Sequence, residues 1–125
     1  MIKEDYCSYE VAKILKEKAF NESCYTCYVE KEIFHYDYSS TNYELIDGII
    51  SCPTIQMAMK WLREEKNIFI VIEPHAYDYI NEKNKSYECS LWVGDNYYEY
   101  IESKDYPSYE EAVEAALKYC LENLI

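Results

Sequence analysis

Cysteine and histidine are the residues most able to do chemistry in this chain, and their spacing is the first thing to weigh. Cys24 and Cys27 form a C-x-x-C pair, and His35 and His75 are the two histidines. In a redox enzyme such a pair places its first thiol at a helix N-terminus, where the dipole lowers the pKa and yields a thiolate. In a structural zinc site it supplies half of a tetrahedral set of four. The surrounding stretch, CYTCYVEKEIFHYDYSS, is aromatic and β-branched and therefore strand-like. On a strand, positions i and i+3 point to opposite faces, which suits neither chemistry. The remaining candidate ligands, Cys52, Cys89, His35 and His75, are scattered along the chain. A Cys–His nucleophile needs an adjacency that this spacing does not declare. The expectation is no catalytic residue, no metal ligand and no cofactor, with a small Cys/His-dependent enzyme as the alternative.

Other constellations carry less. Glu88, Glu99 and Glu102 would put carboxylates on neighbouring strands, as a glycosidase requires. With 24 acidic residues, such groupings arise by chance. Two glycines, Gly48 and Gly94, leave no phosphate-cradling loop and no nucleophile elbow.

Composition narrows the partners. The chain has 125 residues, half of them apolar, enough for one α+β domain spanning residues 1–125 with its own core. No 18-residue apolar window occurs, so no membrane-spanning helix is expected. The start, MIKEDYC, lacks an apolar signal region, which makes a cytoplasmic location the expectation. In that compartment the six cysteines would be reduced, buried and hydrophobic in behaviour. The formal charge of −12, with Arg63 the one arginine, argues against nucleic acid. On charge, a basic protein surface, a metal ion or a neutral ligand is the more natural partner, unless the acid serves solubility alone. The expected partner is an unidentified protein or a second copy of the chain. Sixteen tyrosines suit a binding surface, although scarce Arg and Gly beside frequent Tyr, Ile, Asn and Lys is also the mark of AT-rich codons.

These residues must be positioned by elements, and three helix openings stand out: SYEVAKIL from Ser8, PTIQMAMKWL from Pro53 and PSYEEAVEAAL from Pro107. Each sets Ser or Thr at the N-cap and Ala (Ala12, Ala58, Ala112) one turn in, where a small side chain lets the helix approach a sheet. The last adds Glu111 to Ser108 as a capping box. Its apolar stripe runs from Ala112 to Leu124, with Glu110, Glu111, Glu114 and Glu122 facing away. The second and third openings share a preceding Pro, a hint of duplication and no more.

Strands are predicted at Tyr25–Val29 and Ile33–Tyr38 around a turn near Lys31, with YELI as a short further strand. NIFIVIE reads as a buried strand, and AYDYINEKNK as a loop. SYECSLWV and YYEYIES flank Gly94-Asp95, a two-residue type II′ hairpin signal. The expected order is α-β-β-α-β-β-β-α: an α+β fold with an antiparallel sheet and helices packed on it. In that hairpin register Trp92, Tyr97 and Ile101 share the face away from Leu91 and Val93. Large apolar side chains there make a candidate interaction surface, unless a helix of the same chain covers them.

The stretches CSYEVAKILKEKAF, PTIQMAMKWLREEKNIFIVI and YPSYEEAVEAALKYCLENLI resemble a family of short proteins from gut bacteria and their phages and prophages. The likeness covers roughly half of the chain, at both ends and the middle. It implies a phage- or mobile-element-type accessory protein and supplies no catalytic residues. Two positions depart from the family's pattern: Ala19 stands where Gly usually precedes Phe20, and Met57 where Glu would complete a capping box. From Thr54 to Leu124 the order α-β-β-β-α also matches double-stranded-RNA-binding domains. Their last helix opens on basic residues, whereas this one opens SYEEAVEA, so that reading ranks last.

Overall fold

The computed structural model describes residues 1–76, 85–99 and 105–125, with 75–76, 85 and 98–99 in backbone alone. The loop expected at AYDYINEKNK falls outside these residues apart from its ends, as do Tyr100, Ile101 and Glu102. The elements are α1 (Tyr9–Glu17), β1 (Cys24–Val29), β2 (Glu32–Ser40), β3 (Ile49–Ser51), α2 (Ile55–Lys66), β4 (Ile68–Ala76), β5 (Lys85–Val93), β6 (Asn96–Glu99) and α3 (Tyr109–Asn123).

All three helix openings are N-caps. The hydroxyls of Ser8, Thr54 and Ser108 accept the backbone N–H of Val11, Met57 and Glu111 at 3.2, 3.1 and 3.1 Å. Ala12, Ala58 and Ala112 are fully buried. The openings do more than cap. The residues before α1 and α2 pair with each other: Cys7 donates to the Pro53 carbonyl and Ile55 to that of Asp5, both at 2.9 Å. Tyr106, ahead of α3, exchanges two 2.8 Å hydrogen bonds with Tyr87 of β5. The capping box of α3 differs in one limb, because the Glu111 carboxylate accepts the Ser108 hydroxyl at 2.9 Å. Glu114, expected to face away, instead reaches α1. Its two oxygens accept the Ser8 N–H at 2.8 Å and the Ser8 hydroxyl at 2.9 Å. The unpaired N–H groups and positive dipole at the start of α1 draw the carboxylate there. Lys118 of α3 adds an ion pair to Glu10 of α1 at 2.8 Å.

Helix α1 ends in a Schellman motif. Phe20 donates to the Leu15 carbonyl at 2.9 Å and Ala19 to that of Lys16 at 3.1 Å. Leu15 and Phe20 are both fully buried, which supplies the apolar contact of that motif. Ala19 takes φ 68°, a left-handed backbone that costs a Cβ-bearing residue energy. Because Ala19 is exposed, Ala19→Gly removes the strain without opening a cavity. It is expected to stabilise the protein by about 1 kcal/mol, read from urea unfolding; a loss of stability would contradict this account.

The described strands form two antiparallel three-stranded sheets, ordered β2-β1-β3 and β4-β5-β6. The α+β class and antiparallel pairing are as expected, but the sheet is divided and β3 is an added strand. YELI is part of a turn, not a strand. Asn42 explains the difference. Its side chain is buried, donates to the Phe20 carbonyl at 2.8 Å and accepts the Ser51 N–H at 2.9 Å. This anchor turns the chain and delivers Ile49–Ser51 to β1, where Tyr28 pairs with Ile50. The first strand is central in one sheet and the second strand in the other, so the two helix-and-sheet halves are not copies of each other.

The main core gathers Val11 and Leu15 of α1, Ala58, Met59 and Leu62 of α2, and Val113, Leu117 and Leu121 of α3 against Ile68 and Leu91 of the second sheet. Helix α3 touches α1, α2, β4 and β5. Strand β4 is buried on one face only: Ile68 is enclosed and Ile70 and Ile72 pack on the core, whereas Phe69 points outward.

Candidate interaction surface

The β5–β6 hairpin fixes the surface. Val93 pairs with Asn96 across Gly94-Asp95, so the loop has two residues. Gly94 has φ 60° while Asp95 is not among the residues of positive φ, which defines the type II′ turn read from the sequence. The Gly94 N–H donates to the Asn67 carbonyl at 3.0 Å, tying the hairpin tip to the end of α2.

This register sets Trp92 opposite Tyr97, and β4 sets Phe69 on the other side of Trp92. The Trp92 and Tyr97 rings lie 5.2 Å apart, inclined at 59°. Phe69, Trp92 and Tyr97 are 40%, 41% and 51% exposed. The helices pack on the opposite face, around Leu91 and Ile68. Three aromatic side chains therefore run in a row across three strands on an open face. Ile101 lies outside the described residues. Phe69 was not singled out from the sequence, because the continuous apolar run IFIVI hides the alternation that would have assigned it outward.

The thiols lie elsewhere. All six cysteines are free and buried. Cys24 packs in the main core, and Cys27 lines a cavity on the other side of β1, so the C-x-x-C pair is split across the strand. Burial pushes the Cys24 and Cys89 thiols up to about 11 and those of Cys52 and Cys120 up to about 12. Cys7 and Cys27 are raised by the same cause. At neutral pH these are protonated, unreactive groups.

The histidines sit apart. His35 Nδ1 lies 3.1 Å from the Thr26 hydroxyl and its ring meets the edge of Tyr6, both in the first sheet region. His75 belongs to β4 in the second sheet, paired in backbone with Ser86. Glu88 pairs with Glu73 and Glu99 with Ser90, while Glu102 is outside the described residues. Among the described residues no three His, Cys, Asp or Glu side chains gather as a metal site. No helix among them is long and apolar enough to cross a membrane. The second half does run α2-β4-β5-β6-α3, and α3 opens with Glu110 and Glu111 in its first turn. Family models, curated proteins and solved structures were each searched for a match to this chain, and none was found.

Proposed function

We infer that the chain is a non-enzymatic interaction module that presents the Phe69–Trp92–Tyr97 face to a protein partner or to a second copy of itself. The supporting observation is the exposure of three adjacent aromatic rings on the face of the second sheet opposite the described helices. Single exposed apolar residues are ordinary, but a contiguous aromatic row is the composition of binding hot spots. Its place as a phage- or mobile-element-type accessory protein rests on the resemblance of the helix openings.

The test is Trp92→Ala, followed by urea unfolding and sedimentation. The expected cost to stability is under about 1 kcal/mol, the size of a lost cross-strand pair, with self-association or partner binding abolished. A loss of about 3–5 kcal/mol at unchanged mass would make Trp92 a core residue and end this reading.

A further inference from the structure

We propose that the first sheet carries a cup for a lysine or arginine side chain presented by a basic segment of a partner protein. A cavity of about 350 Å³ lies between β1, β2 and the turn ahead of β3, lined among others by Cys27, Tyr36, Tyr38, Glu44, Leu45 and Ile46. That volume sits at the small end of ligand pockets, roughly 300–1,000 Å³. The Tyr36 and Tyr38 rings are 5.6 Å apart and inclined at 44°, and both are exposed. Leu45 and Ile46 form an aliphatic wall. Cys27, buried and neutral, interacts with the Tyr36 hydroxyl. The Glu44 carboxylate accepts the Thr41 N–H at 2.9 Å, which fixes its position at the cavity.

This combination fits one ligand chemistry. Long basic side chains have an apolar stem and a cationic head. The aliphatic wall suits the stem, while tyrosine rings and a carboxylate suit the head. Among the described residues no Lys or Arg lines the cavity, so an anion finds no charge partner there. From Tyr36 to Met59 the charged residues are Asp37, Glu44 and Asp47 alone. The Lys16 ammonium, on α1, is engaged with the Ile49 carbonyl at 3.4 Å. The charge of −12 attracts a basic partner at longer range. The cup is on the first sheet and the aromatic row on the second, so either reading can fail without the other.

The experiment titrates the full chain, labelled for NMR, with acetyl-Gly-Arg-Gly-amide and with the same peptide carrying neutral citrulline. The arginine peptide is expected to give saturable shifts at Tyr36, Tyr38 and Glu44, and the citrulline peptide none. Glu44→Gln keeps an acceptor for Thr41 and removes the charge; it should weaken binding about two- to fivefold. Tyr38→Ala, at a largely exposed position, should weaken it about two- to fivefold. Glu64→Gln, on α2, should leave affinity unchanged. Equal binding of the citrulline peptide, an equal loss in Glu64→Gln, or no shift at these residues at millimolar peptide would overturn the proposal.

Discussion

Raising the pH above about 9 is expected to unfold this protein steeply. The buried thiols have folded pKa values above their ordinary value of 9.0: about 11 for Cys24 and Cys89, and about 12 for Cys52 and Cys120. A raised folded pKa gives stability that is full below the unfolded value and is lost as pH climbs toward the folded one. Between about 9 and 11–12, each thiol ionises in the unfolded chain and stays protonated in the native one. Each then removes about 1.4 kcal/mol per pH unit. Several thiols titrating in parallel overwhelm a typical stability of about 5–15 kcal/mol within one to two pH units. Tyr28, whose hydroxyl is buried against the Cys7 carbonyl, is raised too and acts in the same direction. Urea titrations between pH 7 and 10.5 measure this directly, and Cys120→Ala should flatten the slope by one thiol's share. A stability that stays level to pH 10.5 would refute it.

Asn42→Ala is expected to cost about 2–6 kcal/mol, since two buried backbone groups each lose a partner worth about 1–3 kcal/mol. The Phe20 carbonyl loses its donor and the Ser51 N–H its acceptor. The first lies at the end of α1 and the second on β3, so the change loosens the helix exit and the edge of the first sheet together. Hydrogen exchange should show the Ser51 amide losing protection along with the global loss. Exchange at Ser51 equal to wild type, with stability unchanged, would mean water replaces the side chain at no cost.

The parts legible in the sequence were those decided by neighbours within a few residues. Ser8, Thr54 and Ser108 cap their own helices, and Gly94-Asp95 closes its own hairpin, so these elements and the Trp92–Tyr97 pairing could be read locally. The rest depends on contacts distant along the chain. Asn42 reaches 22 residues back and 9 forward to create β3. Glu114 looks like another solvated acid until α1 lies beside it. The first hairpin turns at Glu30 and Lys31, whose φ values of 51° and 68° define a type I′ turn without its usual Asn or Gly. Its position was readable and its type was not. For the candidate surface, the register came from the turn, but its openness came from all three helices packing elsewhere.

The meeting of α1 with α3 has a consequence for biosynthesis. Ser8 and Glu114 are 106 residues apart, and Lys18 reaches the carbonyl of Ile125 across 107. Such distant closures slow folding, because the loop entropy is spent before any contact returns it. At ribosomal speeds of roughly 5–20 residues per second, α1 emerges on the order of ten seconds before the helix that covers it. Throughout that interval Val11 and Leu15, which share the main core with Val113, Leu117 and Leu121, have no α3 to pack against.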